Sequence, residues 1–155
     1  MTGAIVWLTG LPGAGKSTLG VRLARRLRDL GRPTLLLDGD EVRAAILPAH
    51  GYDDASRDAF YRTLGNLAAL AARQDLVVVV PATAHRRLWR DLARARAPRF
   101  VEVHVATPIE ECRRRDPKGL YARGVLPPYE APEAPDVVAP AGDDPQIVER
   151  IIALL

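Results

Sequence analysis

Apolar and polar positions follow two patterns along the chain. Nearly unbroken apolar runs occupy residues 4–9 and 76–80, and such runs are typical of parallel strands covered on both faces. Elsewhere apolar residues recur every three or four positions, as in Leu19, Leu23 and Leu27, which predicts amphipathic helices. The predicted strands cover residues 4–9, 33–37, 76–80, 100–105 and 137–138. The predicted helices cover residues 16–30, 40–47, 53–73, 85–95, 108–115 and 145–155.

The alternation of strands with helical crossovers predicts the fold class. We expect an α/β fold with a five-stranded parallel sheet and helices on both of its faces. The chain has 155 residues, 48% of them hydrophobic, and is expected to form a single domain over residues 1–155. Ligands of such sheets bind at the carboxyl ends of the strands, so the functional residues are expected there.

A phosphate-loop motif follows the first predicted strand. Residues 10–17 match G-x-x-x-x-G-K-[ST] between a strand and a helix, which is the context of a nucleotide-binding P-loop. The backbone N–H groups of such a loop point at phosphate oxygens, Lys16 reaches the β- and γ-phosphates, and the Ser17 hydroxyl holds Mg²⁺. ATP and Mg²⁺ are therefore the expected cofactors of a P-loop kinase fold. The predicted nucleotide-binding residues of the loop are Gly10, Gly13, Ala14, Gly15, Lys16, Ser17 and Thr18.

Two carboxylates follow the second predicted strand. Asp38 and Asp40 flank Gly39, and Arg43 lies about one helical turn after Asp40. Beside a phosphate loop, this set suits Mg²⁺ binding and activation of an acceptor hydroxyl, while the guanidinium holds an anionic acceptor. We predict Lys16 and Asp40 as catalytic residues, and Ser17 and Asp40 as metal ligands. The alternative for each aspartate is a plain helix cap.

Composition narrows the class of partner. The net charge of +3 and the pI of about 9.4 are a modest basic excess, which favours anionic small molecules over nucleic acid. The single cysteine, Cys112, excludes a disulfide framework, and no apolar run is long enough for a membrane span. We expect a cytoplasmic protein that binds neither nucleic acid nor membrane. The arginines of the fourth helix are expected to form a solvated face: Arg86, Arg87, Arg90, Arg94 and Arg96.

Several segments together resemble the adenylylsulfate kinase family of P-loop kinases. In family order they are residues 10–18 (GLPGAGKST), 37–43 (LDGDEVR), 51–52 (GY) with Arg57, 100–103 (FVEV) with 107–112 (TPIEEC), 115–121 (RDPKGLY) and 128–132 (PYEAP). The last two segments are far more diagnostic than the phosphate loop alone. The resemblance covers nearly the whole chain.

This resemblance implies transfer of the γ-phosphoryl group of ATP to the 3′-hydroxyl of adenosine 5′-phosphosulfate (APS), a reaction of sulfate assimilation. It implies that Asp40 lies near the acceptor hydroxyl and the metal, and that Arg43 and Arg57 contact the anionic groups of the acceptor. It also implies that Arg115 lies over the nucleotide. The predicted substrate-binding residues are Asp38, Asp40, Arg43, Arg57 and Lys118.

The Pro-rich segment, residues 116–135, is predicted to be a mobile lid. It is longer than an ordinary connection and shows no apolar period, which is typical of a functional lid or of a disordered stretch. The hypothesis is that it closes when both substrates are bound. The resemblance further implies that the adenine of ATP lies near residues 140–142. A homodimer is left open.

Three departures from the family pattern concern the acceptor. Ala84 stands where the family carries a serine, and Phe60 stands where it carries an asparagine. Only residues 122–127 separate the two diagnostic segments, so an aromatic part of the family lid is missing. Two alternatives to APS phosphorylation therefore stay open. One is a kinase of another small anionic alcohol or nucleotide, and the other is a non-catalytic nucleotide-binding protein.

Overall fold

The computed structural model describes residues 2–140 and 144–155. Within these ranges the strands are β1 (Ala4–Thr9), β2 (Thr34–Leu36), β3 (Val77–Pro81), β4 (Phe100–Val105) and β5 (Val137–Ala139). The helices are α1 (Lys16–Asp29), α2 (Gly39–Ala45), α3 (Asp54–Ala72), α4 (Arg87–Arg96), α5 (Ile109–Arg115), α6 (Leu120–Arg123) and α7 (Pro145–Ile152). None of these helices combines the length and the apolar character needed to cross a membrane.

The strands form one parallel sheet in the order β2-β3-β1-β4-β5. Successive side chains of a strand point to opposite faces, so Val6 and Leu8 of β1 join one core while Ile5 and Trp7 join the other. Helices α1 and α7 complete the first core, and α3 and α4 complete the second. The predicted α/β class, with helices on both faces of a five-stranded parallel sheet, is confirmed.

The Pro-rich segment contains one short helix that the sequence pattern does not predict. Helix α6 lies between Gly119 and Gly124, whose φ angles are 66° and 64°. Left-handed backbone of this kind lets the chain enter and leave a single helical turn, and glycine adopts it without steric cost. A helix of four residues has no apolar period, so nothing in the pattern distinguishes it from loop.

The carboxyl ends of four strands meet at one edge of the sheet. β1 leads into the phosphate loop, β2 into Asp38, β3 into Ala82 and β4 into Thr107. The loops after the strands are therefore neighbours in space although they are far apart in sequence. This edge carries the candidate site, as expected for a parallel sheet.

Candidate active site

The phosphate loop is bent at two glycines and packed from behind. Gly13 and Gly15 have φ angles of 79° and 100°, which L side chains rarely adopt. A Cβ on Gly13 would lie 3.1 Å from the carbonyl oxygen of Cys112, so the loop approaches α5 closely. The Thr107 hydroxyl donates to the carbonyl oxygen of Ala14 at 2.6 Å. The amides at the start of α1 are thereby held in place for an anion.

Lys16 lies folded across the phosphate loop. Its Nζ donates to the carbonyl oxygens of Gly10 at 2.9 Å and Leu11 at 2.8 Å. Burial lowers the pKa of Lys16 to about 8, although the carboxylate of Asp40 opposes this shift. A bound phosphate would favour the charged ammonium and so raise this pKa again.

Ser17 and the two aspartates form a cluster of oxygen atoms beside Lys16. Ser17 Oγ donates to Asp38 Oδ2 at 2.5 Å, and Asp38 Oδ1 accepts from the N–H of Asp40 at 3.0 Å. Asp38 is thus the N-cap of α2, and Asp40 lies within its first turn. Asp38 therefore caps α2 and also contacts Ser17, whereas Asp40 is not the cap, because α2 begins one residue earlier than predicted.

An ion pair joins the Pro-rich segment to α2. Lys118 Nζ donates to Asp40 Oδ2, and both side chains are largely exposed to solvent. The turn that carries Lys118 is fixed by Asp116, whose carboxylate accepts from the N–H groups of Tyr121 and Ala122, each at 3.1 Å. The fold therefore brings together two predicted site residues that are 78 positions apart in the sequence.

Arg43 adds a second positive charge, on α2 itself. Its Nη1 donates to the carbonyl oxygen of Gly51 at 3.2 Å. Its guanidinium carbon lies 4.1 Å from the ring centroid of Phe60 and 4.7 Å from that of Tyr52. The guanidinium plane is therefore held by two aromatic rings, which is a cation–π arrangement.

Arg57 and His85 lie where the start of α3 meets the loop after β3. Burial, followed by the positive charge of Arg57, lowers the pKa of His85, so the imidazole is neutral at pH 7. Ala84 is fully buried with a φ of 42°, and its backbone hydrogen-bonds the hydroxyl of Tyr61. Ala84 thus packs in the core on this side of the sheet and offers no side-chain hydroxyl.

Arg115 connects α5 to the phosphate loop. Its Nη1 donates to the carbonyl oxygen of Gly13 at 3.2 Å, and its Nε donates to Glu111 Oε1 at 3.0 Å. Hydrogen bonds from Arg114 and Arg115 lower the pKa of Glu111 to about 2, so this carboxylate is ionised at neutral pH. Arg115 therefore stands beside the loop for the nucleotide phosphates, held by Glu111.

The sequence pattern did not reveal the structural role of Arg90, which links the end of β1 to the Pro-rich segment. The prediction of a solvated side chain is wrong, because the Arg90 side chain is 0% exposed. Its Nη1 donates to Thr9 Oγ1 at 2.9 Å and its Nη2 donates to the carbonyl oxygen of Glu130. Its Nε lies 3.6 Å from Glu102 Oε2. Glu102, a single acid within the apolar run of β4, was the available signal, because a buried carboxylate requires a cationic partner.

Residues 130 and 131 of the Pro-rich segment form hydrogen bonds with the start of α4 and the residues before it. The N–H of Glu130 donates to the carbonyl oxygen of His85 at 2.8 Å, and Glu130 Oε1 accepts from the N–H of Arg87 at 2.8 Å. Arg87 Nε also donates to the carbonyl oxygen of Ala131 at 2.9 Å. The part of the segment that carries Lys118 and α6 makes its own contacts with the site: Lys118 Nζ donates to Asp40 Oδ2, and the Tyr121 hydroxyl donates to the carbonyl oxygen of Pro12 at 2.7 Å.

The oxygen atoms of the site fit a Mg²⁺ ion that is held mostly by phosphates. Across residues 2–140 and 144–155, no group of three or more His, Cys, Asp or Glu side chains could hold a metal ion. Mg²⁺ prefers hard oxygen ligands, keeps several waters and uses one or two protein groups together with substrate phosphates. Ser17 and Asp40 offer such groups, with Asp38 next to Ser17.

Two further predicted nucleotide contacts concern Thr18 and residues 140–142. Thr18 follows Ser17 in the first turn of α1 and is exposed. The predicted adenine contact at residues 140–142 falls largely outside the described residues, which omit residues 141–143.

Comparison with known proteins identifies the family. The family model for adenylylsulphate kinase matches residues 2–140. The chain belongs to the adenylylsulphate kinase family. An adenylyl-sulfate kinase of Shewanella denitrificans is 41% identical over an alignment that covers 97% of this chain and 80% of that protein. The bifunctional enzyme NodQ of Azospirillum brasilense is 43% identical over 98% of this chain, which spans only 27% of that enzyme.

A solved structure of the same family has the same fold. It is the APS kinase CysC of Mycobacterium tuberculosis in complex with AMPPNP and APS, with a TM-score of 0.88 and 34% identity. The match covers 99% of this chain and 97% of that one. The predicted family, the P-loop kinase fold and the kinase class are confirmed for this member of the adenylylsulphate kinase family.

Proposed function

We propose that this protein transfers the γ-phosphoryl group of ATP to the 3′-hydroxyl of APS. The observation that carries the proposal is the meeting of Lys16, Asp40 and Lys118 at one edge of the sheet. Phosphoryl transfer to an alcohol requires a cradle for the donor phosphates, a carboxylate for the hydroxyl and positive charge for an anionic acceptor. Each of these parts comes from a different element of the fold.

On the donor side, the backbone amides of residues 13–18 bind the triphosphate at the start of α1. Lys16 exchanges its two loop carbonyl oxygens for the β- and γ-phosphate oxygens, where negative charge develops in the transition state. Ser17 and Asp40 would hold Mg²⁺, which supplies charge neutralisation at these phosphates. Thr18 and Arg115 add contacts to the nucleotide phosphates.

On the acceptor side, Asp40 orients the 3′-hydroxyl and accepts its proton. The hydroxyl oxygen bonds to the γ-phosphorus as the bond from that phosphorus to ADP breaks, and ADP leaves as the anion. In this structure the Asp40 carboxylate is paired with Lys118. Acceptor binding draws the ammonium of Lys118 to the anionic end of the acceptor, which leaves Asp40 available to the hydroxyl.

Arg43 and Arg57 bind the anionic groups of the acceptor. Asp38 has its role on the donor side, where its carboxylate positions the Ser17 hydroxyl. The part of the Pro-rich segment that carries Lys118 and α6 closes over both substrates and brings Lys118 into contact with the acceptor, while Arg115 on α5 already lies beside the phosphate loop. Closure excludes water that would otherwise hydrolyse ATP. The aromatic part of the family lid is absent here, so we expect measurable ATP hydrolysis without an acceptor.

An assay of ADP release with ATP, Mg²⁺ and APS tests this function. The expected product carries a new phosphate at the 3′ position, which mass spectrometry and ³¹P NMR identify. A 3′-deoxy analogue of APS is the matched control and is expected to release no more ADP than ATP alone. Binding of ATP without turnover on any acceptor would contradict the proposal and favour the non-catalytic alternative.

A second candidate function is phosphorylation of another small anionic alcohol. Phe60 lies beneath Arg43 where the family carries an asparagine, and Ala84 is buried where it carries a serine. These departures all fall on the acceptor side, whereas the donor side retains a complete motif. A panel of phosphorylated and sulfated alcohols tests this candidate, and a kcat/KM for any of them above that for APS would favour it.

Assembly and location stay predictions. Light scattering after size-exclusion chromatography tests the homodimer, and cell fractionation tests the cytoplasmic location. Neither outcome alters the residue roles proposed above, because every one of those residues belongs to a single chain.

A further inference from the structure

The environment of Arg43 is unusual for a cation in an anion-binding site. Its guanidinium stands over Phe60, with a distance of 4.1 Å to the ring centroid, and over Tyr52, with a distance of 4.7 Å. Among the residues that the structure describes, no carboxylate forms an ion pair with Arg43, and one backbone oxygen, that of Gly51, accepts a bond from it. The contacts that fix Arg43 are therefore mainly aromatic.

The two rings are not equivalent supports. Tyr52 is largely exposed, whereas Phe60 is 1% exposed and belongs to the core between the sheet and α3. The Phe60 ring is held edge-on by His50, with centroids 6.1 Å apart, and by Tyr61, with centroids 5.2 Å apart. Phe60 is thus the rigid support, and its position is fixed before any ligand arrives.

An aromatic support has a physical advantage over a carboxylate here. A carboxylate would occupy the N–H groups along the edge of the guanidinium and neutralise its charge. A ring contacts only the flat face, so the edge donors and the positive charge stay available to an incoming anion. Stacking therefore sets the direction of the guanidinium without competing with the ligand.

We propose that Phe60 is a positioning residue for the acceptor: it fixes the guanidinium plane of Arg43 so that the edge donors meet the 5′-anionic group. The inference rests on the proposed function of this site in binding APS. It assigns to Phe60 a role in acceptor affinity that is separate from its packing in the core. The chemical class it recognises, through Arg43, is a phosphate or phosphosulfate attached to the 5′ position of a nucleoside.

This role predicts a specific split of the kinetic constants. Loss of the ring weakens the hold on the acceptor anion, so the KM and the dissociation constant for APS rise. The fold-change expected from one cation–π contact is about 3–30-fold. The KM for ATP and the kcat are expected to stay within about 2-fold, because the ring contacts described for Phe60 are with Arg43, His50 and Tyr61 and not with the donor side.

The test compares Phe60→Leu with Leu64→Ala in the full chain. Leu64 lies one turn further along α3 in the same core and is fully buried, so its variant controls for lost packing. A second series replaces Phe60 with mono-, di- and trifluorinated phenylalanine, which weakens the electrostatics of the ring face while keeping its shape. Thermal unfolding of every variant accompanies the measurement of APS and AMPPNP binding by calorimetry.

We expect APS affinity to fall in Phe60→Leu and to fall stepwise with fluorination, with AMPPNP affinity unchanged. AMP affinity is expected to follow that of APS, and adenosine affinity is expected to stay constant. A flat fluorine series, or an equal loss of APS affinity in Leu64→Ala, would overturn the proposal. Failure of the proposed function itself is distinct, because the wild-type protein would then bind or phosphorylate no APS at all.

Discussion

The donor and acceptor sides of this site are built in different ways. One continuous stretch, residues 10–18, supplies the donor side, and backbone geometry at two left-handed glycines gives it its shape. The acceptor side is assembled from side chains of separate segments: Arg43 on α2, Arg57 on α3 and Lys118 in the Pro-rich segment. A backbone loop is encoded locally, whereas a constellation of side chains depends on how distant segments pack.

This difference predicts how each side responds to change. A single substitution on the acceptor side, such as one at Phe60, alters contacts within that side and leaves the phosphate loop intact. On the donor side the Thr107 hydroxyl and the backbone of Cys112 contact the phosphate loop directly. A substitution within the loop therefore changes the position of the amides that bind phosphate. We expect substrate choice to change through the acceptor side and overall turnover to be lost through the donor side.

The largest effect is expected on the donor side, in Lys16→Ala. Removal of the ammonium leaves the charge that develops on the β- and γ-phosphates without its nearest cation. Phosphoryl transfer is expected to be abolished, while far-ultraviolet circular dichroism and the melting temperature stay near those of the wild type. Near-normal turnover in the folded variant would show that the loop amides and the metal suffice.

Asp40→Asn tests the residue at which the two sides meet. The amide keeps the size of the side chain but cannot accept the proton of the hydroxyl. The kcat is expected to fall by about 10²–10⁴-fold, which is typical of a positioned base. Nucleotide affinity should change far less.

The control is Glu41→Gln, which neutralises the adjacent exposed acid of α2 and is expected to keep a normal kcat. Equal losses in both variants would remove Asp40 from the catalytic role.

Arg90→Met tests the buried arginine that connects β1 to the Pro-rich segment through Thr9 and Glu130. Removing Arg90 takes away the buried partner of Glu102 and leaves that buried carboxylate with Arg94 alone, at a cost of about 3 kcal/mol in the free energy of unfolding. Arg94→Met is the matched control, because Arg94 pairs with the same carboxylate but is 42% exposed. The guanidinium of Arg94 stays partly hydrated, so its pairing with Glu102 is expected to contribute about 1 kcal/mol, less than that of Arg90. Denaturant titrations that gave equal losses for the two variants would contradict the assigned difference in burial.

The elements that could be predicted are those whose signal is local. The apolar runs predicted all five strands to within one residue at each end, and the glycines and lysine of the phosphate loop marked the donor side. The start of α2 was predicted one residue late, and the cap alternative that the sequence left open for both aspartates applies to Asp38 alone. The burial of Arg90 depends on Glu130, which comes from a segment 40 positions away. The spacing of apolar residues along α4 cannot show that a distant segment packs over Arg90 and excludes it from solvent.

Lys118→Ala sharpens the comparison at the Pro-rich segment. Loss of the ammonium removes one contact to the acceptor anion, so the KM for APS is expected to rise by about 10-fold, which corresponds to one exposed charge-assisted hydrogen bond. The KM for ATP is expected to stay constant. Arg113→Ala, which removes an exposed cation of α5, controls for the change in net charge. An effect on ATP alone, or on neither substrate, would return Lys118 to the role of a solvated loop charge.

The smallest expected effect is a fractional proton taken up when nucleotide binds to the donor side. Burial lowers the pKa of Lys16 to about 8 in the free protein, and a bound triphosphate raises it by favouring the ammonium. At pH 8–9 part of the Lys16 population is neutral, so AMPPNP binding is expected to be accompanied by proton uptake. At pH 6.5 the ammonium is already formed and the Lys16 contribution disappears.

Calorimetry in buffers of different ionisation enthalpy measures the uptake. AMPPNP also titrates on its γ-phosphate, so the diagnostic quantity is the excess over Lys16→Met at matched saturation. Uptake that persisted unchanged in Lys16→Met would assign the proton to another group and leave Lys16 charged throughout.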